Sequence, residues 1–237
     1  MAKKVLITGA SGGIGLRIAK SLALKGYKLV LHGNNSIEKL QPLQDDFIGQ
    51  IELVQADLSA SEGIDTLIKH GKNCNAILHC AGVPSANISW KVSKEEFLKV
   101  NFINYFAPFF ITQGIIPEMR VNKWGRVIFF SSIVAQTGVP GTVAYAASKS
   151  ALFGMTRTLA AELAPSGITI NCMAPGYMDE GMIKEIPDAM KEQIIANTPI
   201  KKLSDTSSLV NLVELLLSEQ GNSITGQVLS VNGGLYM

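Results

Sequence analysis

Three side chains, Tyr145, Lys149 and Ser132, have the chemical groups needed to move a proton to or from a carbonyl oxygen. Tyr145 and Lys149 stand four residues apart in Tyr-Ala-Ala-Ser-Lys, and a helix over 143–165 would place them on one face. A free tyrosine has a pKa near ~10, which a nearby ammonium and a cationic nicotinamide would lower. Ser132 could hold the carbonyl oxygen. This set predicts reduction of a ketone by hydride transfer, provided that the chain also binds a nicotinamide.

The N-terminal region has the order of elements that a dinucleotide-phosphate site requires. The apolar run Val5–Thr8 has the length of a strand, a glycine-rich turn follows at once, and Leu16–Lys25 is amphipathic. In such a strand–turn–helix unit, Gly9 would allow the tight turn and Gly13 would let the backbone approach the pyrophosphate. Gly15 would let the helix pack closely on the strand. A glycine-rich connection without a ligand remains the alternative.

Strands alternate with helices along the whole chain. We expect strands near residues 4–8, 28–32, 51–55, 75–80, 126–131, 168–173 and 227–231. Helices are expected near 13–25, 36–47, 61–70, 93–120, 143–164 and 206–218. Such alternation predicts an α/β fold: a Rossmann-type, doubly wound parallel sheet of about seven strands with helices on both faces. A chain of 237 residues without an internal linker is expected to form a single domain.

Composition excludes several other classes of protein. A net charge of +2 with 17% charged residues gives no broad basic surface, so nucleic acid is not an expected partner. No stretch of about 18 apolar residues is present, and we expect no membrane association. The three cysteines lack metal-ligand spacing. Reduced, buried thiols, no metal and a cytoplasmic location are therefore expected.

These motifs together resemble the short-chain dehydrogenase/reductase family, whose glycine signature is Thr-Gly-x-x-x-Gly-x-Gly. The resemblance covers essentially the whole chain, and the residues that carry it are Thr8, Gly9, Gly13, Gly15, Asp57, Ala81, Gly82, Asn101, Ser132, Tyr145, Lys149, Pro175 and Gly176. The C-terminal segment 224–237 is similar to that of the 3-oxoacyl-[acyl-carrier-protein] reductases in particular.

The resemblance implies a role for each of four catalytic residues. Tyr145 would be the general acid, a role that contributes ~10²–10⁴ in rate, and Ser132 would hold and polarise the carbonyl. Lys149 would bind the nicotinamide ribose and lower the tyrosine pKa, and Asn101 would hold a water that links Lys149 to solvent. Ser131 competes with Ser132, but alternation along a strand lets only one of the two face the substrate.

Ligands of open α/β sheets bind beyond the carboxyl ends of the strands. We therefore expect the cofactor to contact Gly9, Ser11, Gly12, Gly13, Ile14, Gly15, His32, Asn34, Asn35, Asp57, Leu58, Cys80, Ala81, Gly82, Tyr145, Lys149, Pro175, Gly176 and Met178. NAD enzymes place an acid about 20 residues beyond the glycine motif, where this chain has Gly33. Without that carboxylate, Ser11, His32, Asn34 and Asn35 could bond to a 2′-phosphate, so we predict NADP(H).

Several positions depart from the family pattern. Gly12 stands where many NADP-dependent relatives have a basic residue, and the family's Asn-Asn-Ala-Gly is His79-Cys80-Ala-Gly here. Glu180 replaces a threonine that contacts the nicotinamide amide in the family. Ser166 replaces a basic residue that is common in acyl-carrier-protein reductases. A local basic patch could still form from Arg120, Lys123 and Arg126.

The predicted function is NADPH-dependent reduction of a 3-oxoacyl thioester, with acyl carrier protein as a possible partner. The alternatives are a reductase of another small alcohol or ketone, such as a polyol, steroid or polyketide, and an inactive dinucleotide-binding scaffold. In the family, the segment 177–205 is a lid over the substrate. We also predict a homotetramer, because the helix over 99–120 has apolar residues around much of its girth, namely Phe102, Ile103, Tyr105, Phe106, Phe109, Phe110 and Ile111.

Overall fold

A computed structural model describes residues 3–237 and contains one seven-stranded sheet. Its strands are β1 Lys4–Thr8, β2 Lys28–Gly33, β3 Ile51–Gln55, β4 Ala76–His79, β5 Gly125–Phe130, β6 Ile168–Pro175 and β7 Val228–Val231. All neighbouring strands pair in parallel, in the order β3-β2-β1-β4-β5-β6-β7. The strand order reverses between β1 and β4, and a crevice at such a point is where open α/β sheets bind ligands.

Eight α-helices connect and cover the strands within the described residues. They are α1 Gly13–Leu24, α2 Gln41–Asp46, α3 Ser61–Gly71, α4 Lys94–Asn101, α5 Ala107–Val121, α6 Val143–Leu163, α7 Asp188–Asn197 and α8 Thr206–Leu217. Helices α1 and α8 pack on one face of the sheet, and α3, α5 and α6 pack on the other. Successive residues of β1 show why both faces are apolar, since Val5 and Ile7 point into the first core and Leu6 into the second. The predicted doubly wound sheet is confirmed.

The predicted helix over 93–120 is interrupted. Helix α4 ends at Asn101, the residues Phe102–Phe106 form one π-helical turn, and α5 then begins at Ala107. The apolar periodicity of the sequence runs through this turn, so the pattern gave no signal of it. A π-turn displaces the side chains within it relative to a regular α-helix and is frequent at functional sites.

The segment 177–205 contains regular structure that the sequence pattern did not reveal. A 3₁₀ turn spans Gly181–Glu185, and α7 follows. Helix α7 has no fully buried residue, so it lacks the apolar stripe from which a helix is predicted. No helix among residues 3–237 is both long enough and apolar enough to cross a membrane.

Arg126 does not belong to an exposed basic patch, which corrects that prediction. It lies on β5 with 1% of its surface exposed. Its guanidinium donates to the Gly125 carbonyl at 2.8 Å and bonds to the Asn222 side chain. The same group lies 4.2 Å from the centroid of the Trp124 ring. Arg120 and Lys123 are exposed, so they alone remain of the proposed patch.

Candidate active site

Two adjacent cavities lie beyond the carboxyl ends of the strands. The first, of about 270 Å³, is lined by the predicted residues Gly9, Ser11, Gly12, His32, Asn34, Asn35, Asp57, Leu58, Cys80, Ala81 and Gly82. The second, of about 490 Å³, is lined by Ile14, Cys80, Gly82, Ser132, Tyr145, Lys149, Pro175, Gly176 and Met178. Because Cys80 and Gly82 belong to both linings, the cavities are contiguous. The residues along them therefore form one crevice suited to an elongated ligand.

The glycine turn after β1 packs directly against the end of β4. Gly9 has a φ of +65°, and a Cβ there would lie 2.6 Å from the Cα of Ala81. A Cβ on Gly15 would lie 2.5 Å from the Gly9 carbonyl oxygen. Both distances are too short for any side chain, so the tight turn and the close approach of α1 depend on glycine at these positions.

Tyr145, Lys149 and Ser132 meet in the second cavity. Tyr145 and Lys149 lie on the first two turns of α6, and the Lys149 Nζ is 5.8 Å from the centroid of the tyrosine ring. Ser132 follows β5 in extended backbone, and its side chain lines the same cavity as Tyr145. Lys149 is buried, and its Nζ donates to the Phe130 carbonyl at 2.7 Å. A substrate carbonyl in this cavity would therefore face the hydroxyl groups of Ser132 and Tyr145, with the Lys149 amine beside them.

Burial governs the proton affinities of this group. It raises the pKa of Tyr145 above the ordinary value, and the neighbouring Ser132 side chain opposes that rise. Burial also lowers the pKa of Lys149 to about 8, against weaker opposing effects of Cys172 and Cys80. The predicted lowering of the Tyr145 pKa involves both Lys149 and a cationic nicotinamide; with the protein alone around the phenol, desolvation dominates.

The two neighbouring serines have different partners. The Ser131 hydroxyl donates to the Lys149 carbonyl at 2.8 Å and is buried. Ser132 is half-buried, and its Oγ accepts from the Val134 amide at 3.2 Å. The Ser131 hydrogen bond therefore connects the end of β5 to the second turn of α6, and Ser132 is the serine beside Tyr145.

Asn101 does not lie in the site as predicted, whereas Asn104, about which nothing was predicted, bonds to the loop after β4. The Asn101 Nδ2 donates to the Phe97 carbonyl of its own helix at 2.9 Å, and among residues 3–237 the linings of the two cavities do not include it. Asn104, inside the π-turn, is fully buried. Its Oδ1 accepts from the Val83 amide at 2.8 Å, and its Nδ2 donates to Ser148 Oγ at 3.0 Å. An asparagine three positions after Asn101 in an aromatic run was the signal that we missed.

His79 is a structural residue. Its Nε2 lies 2.7 Å from Thr112 Oγ1, and its ring stacks on Phe129 with centroids 5.1 Å apart. Complete burial lowers the pKa of His79 to about 3, so the imidazole is neutral at physiological pH. A group with so low a pKa binds a proton too weakly to serve as a catalytic base, and its bond to Thr112 joins the end of β4 to α5.

The segment 177–205 reaches the crevice at Glu180 and Gly181. Glu180 lines the second cavity, and its carboxylate pairs with Lys184 at 2.5 Å. Gly181 contacts the N-terminus of α1, since a Cβ on Gly13 would lie 2.5 Å from the Gly181 nitrogen. The backbone of this segment therefore closes over the turn that we predicted to receive the pyrophosphate.

Comparison with known proteins shows the family of this chain. The family described as "Enoyl-(Acyl carrier protein) reductase" matches residues 9–236. The chain thus belongs to the short-chain dehydrogenase/reductase family, and it is an NAD(P)H-dependent oxidoreductase acting on CH–OH and C=O groups.

Individual relatives support a more specific likeness, to the 3-oxoacyl-[acyl-carrier-protein] reductases. The chain is 38% identical to "Uncharacterized oxidoreductase YmfI" of Bacillus subtilis, over 100% of both chains. It is 37% identical to the 3-oxoacyl-[acyl-carrier-protein] reductase FabG of Rickettsia bellii, over 98% of this chain and 96% of that one.

Solved structures give the same result. A 3-oxoacyl-[acyl-carrier protein] reductase from Brucella melitensis superimposes with a TM-score of 0.92 and 27% identity, covering 99% of this chain and 91% of that one. A reductase of the same description and organism, with bound NAD, has a TM-score of 0.89, 27% identity and the same coverage.

Proposed function

We propose that this protein reduces 3-oxoacyl thioesters to 3-hydroxyacyl thioesters with NADPH. One observation carries the proposal: the cavity that holds Ser132, Tyr145 and Lys149 is lined largely by apolar side chains and opens into the first cavity, which has several polar side chains in its lining. The apolar lining includes Pro84, Ala86, Phe130, Ile133, Val134, Val139, Met178, Ile183 and Ile186. Such a lining suits an acyl chain, whereas a polyol would leave most of its hydroxyls without partners.

The residues present fit a nicotinamide dinucleotide. At Gly82, a Cβ would come within 3.1 Å of the Lys149 Nζ, so the absent side chain leaves room for a ligand group beside the amine. When bound, the cofactor supplies the hydride. We assign its ribose to Lys149, its pyrophosphate to the turn around Gly13, and its adenosine to the cavity that contains Asp57. Entry of the pyrophosphate requires the Glu180–Gly181 backbone to move.

Within this proposal, each catalytic side chain has a defined part in the proton transfer. Tyr145 donates its phenolic proton to the oxygen on which negative charge develops, and Ser132 donates a hydrogen bond to the same oxygen. The Lys149 ammonium favours the phenolate that remains, and a cationic nicotinamide adds to that effect. The 3-oxo oxygen of the substrate thus gains one proton from the protein, and the thioester group is unchanged.

Preference for NADP(H) belongs to the proposal as well. Ser11, Asn34 and Asn35 line the first cavity near Gly33, where a carboxylate would repel a 2′-phosphate. His32, which the sequence suggested as a phosphate donor, does not have that role in this proposal, because both of its ring nitrogens have partners within the protein. With neutral donors alone, the preference rests on the absence of repulsion and is expected to be modest.

The experiment is a substrate panel at fixed enzyme concentration. Oxidation of NADPH is followed with acetoacetyl thioesters of acyl carrier protein and coenzyme A, and with sugar ketones and a 3-oxosteroid. We expect the thioesters to have the highest kcat/KM of the panel. We also expect a higher kcat/KM with NADPH than with NADH. Equal or better turnover of a sugar ketone or a steroid would overturn the substrate assignment.

The same panel separates two carriers of the acyl group. Arg126 is buried, so the basic surface for an acidic carrier protein is reduced to Arg120 and Lys123. If carrier protein binds there, the doubly substituted Arg120→Ala/Lys123→Ala enzyme should lose kcat/KM with the protein-bound substrate and keep it with the coenzyme A thioester. An unchanged ratio would place the carrier contact elsewhere.

A further inference from the structure

His32 lies between two elements of the adenosine side of the crevice and bonds to both. Its Nδ1 accepts from the Gly9 amide at 3.1 Å, and its Nε2 lies 3.0 Å from the Ala56 carbonyl. Gly9 begins the glycine turn after β1, and Ala56 immediately precedes Asp57 and Leu58, which line the first cavity. One imidazole thus links three strand ends, since His32 itself lies on β2.

The two partners fix the protonation state of the ring. An amide N–H donates to Nδ1, so that nitrogen must carry a lone pair. A carbonyl accepts from Nε2, so that nitrogen must carry the proton. Only the neutral imidazole with its proton on Nε2 satisfies both bonds. His32 is 97% buried, with 3% of its surface exposed, and no water replaces a bond lost there without rearrangement.

We propose that neutral His32 is the positioning residue that holds the glycine turn in its dinucleotide-binding form. The proposal concerns cofactor affinity and does not depend on the thioester as substrate. Protonation of Nδ1 would set two N–H groups against each other at Gly9 and would release the turn. Cofactor affinity should therefore fall when His32 becomes charged.

The groups around His32 define the pH range of this effect. Burial lowers the pKa of His32 below its ordinary value of 6.5, against a bond to Ala56 and the charge of Asp57, which raise it. Asp57 has a lowered pKa, chiefly because of the Ser59 backbone amide, and stays charged throughout. Burial raises the pKa of the Cys80 thiol, which stays neutral. The glycine turn 9–15 has no ionisable side chain. Affinity should thus be constant at neutral pH and for some distance below pH 6.5, and it should fall only when the pH passes below the lowered pKa of His32.

Two substitutions separate geometry from charge. His32→Asn keeps an acceptor at the position of Nδ1 and cannot titrate, whereas His32→Leu removes the acceptor. Dissociation constants for NAD⁺ are measured by isothermal titration calorimetry from about pH 8 to about pH 4.5. NAD⁺ is used because the 2′-phosphate of NADP⁺ itself titrates near ~6. Thermal unfolding of each variant provides the folding control.

At pH 8, His32→Leu should weaken NAD⁺ binding by about tenfold, the cost of an unpaired buried amide, and His32→Asn should stay near the parent enzyme. As the pH falls below the lowered pKa of His32, the parent enzyme should lose affinity progressively, and His32→Asn should not. If the parent enzyme and His32→Asn have the same pH profile, the proposal is overturned, whether or not the leucine variant folds. Affinity that rises on acidification would instead mean that the imidazolium pairs with cofactor phosphate, which also overturns it.

Discussion

At the scale of single residues, we propose that the hydroxyl of Tyr145 gives a proton to a substrate held by Ser132. Replacement of Tyr145 by Phe keeps the ring and removes the donor. We expect kcat to fall at least ~100-fold, the lower end for a general acid, with the dissociation constant for NADP⁺ nearly unchanged. Steady-state kinetics and calorimetry measure the two quantities, and turnover above about a tenth of the parent enzyme would refute the assignment.

Lys149 is expected to have two functions, and its substitution should show both. Its Nζ reaches Gly82 at the junction of the two cavities and lies near Tyr145. In Lys149→Ala, cofactor affinity and kcat should both decrease, because the ribose contact and the ammonium are lost together. A suitable control is Lys94→Ala, since that lysine is exposed on α4. Unchanged cofactor affinity in the Lys149 variant would show that the ribose contact is wrong.

At the scale of elements, the π-turn brings Asn104 under the loop that follows β4. The side chain of Asn104 bonds to both the amide and the carbonyl of Val83 and to Ser148 on α6. Asn104→Ala should lower the free energy of unfolding by about 2–3 kcal/mol, since it leaves buried polar groups without partners. Chemical denaturation measures the change. Exposed Asn122, at the end of α5, offers the matched control, and an equal effect of Asn122→Ala would contradict the prediction.

The elements that the sequence predicted well are those whose pattern is local. Continuous apolar runs such as Val127–Phe130 indicate strands buried on both faces, and seven strands were located within a residue or two of the observed bounds. The π-turn was not predictable in this way, because its residues keep a helical pattern of hydrophobicity. Helix α7 lacks an apolar face, and segments without periodicity are assigned to loops.

In the candidate site, too, residues whose placement follows from local pattern were predicted, and residues that depend on distant contacts were not. Spacing and type identified Ser132, Tyr145 and Lys149, because a helix and a strand end fix their positions. The function of His32 required knowledge of Gly9 and Ala56, which are 23 and 24 residues distant in sequence. Likewise, nothing local distinguishes Arg126, covered by Trp124, from an exposed arginine at a helix end. Contacts between distant elements decide such cases.

At the scale of the whole molecule, one surface carries five large apolar side chains that are exposed, and contiguous apolar patches of this kind mark contacts between protein chains. It extends over α4, the π-turn, α5 and the start of α6, and its members are Phe97, Leu98, Phe106, Phe110 and Val143, each between 38% and 53% exposed. Of the residues on which we based the tetramer prediction, Ile103 and Ile111 are buried in the chain's own core. Phe106 and Phe110 remain available for contact with a second copy.

We predict a homotetramer in which this surface forms one interface. Multi-angle light scattering should give four times the single-chain mass of 25.4 kDa at micromolar concentration. The doubly substituted Phe106→Glu/Phe110→Glu protein should form smaller species, because a charge in an apolar interface is strongly unfavourable. Leu24→Glu, on the opposite face at α1, serves as the control and should leave the mass unchanged. A monomeric parent protein would refute the prediction.

The contact between Gly13 and Gly181 has a kinetic consequence. The two backbones are in contact at Gly13, so a pyrophosphate that binds on that side of the turn can enter only after the Gly181 backbone has moved aside. Association then has a unimolecular step whose rate no excess of cofactor can increase. In stopped-flow mixing, the observed rate should rise with cofactor concentration and reach a plateau. The height of that plateau is the opening frequency of the segment, and after turnover the same frequency limits how fast the oxidised cofactor can leave.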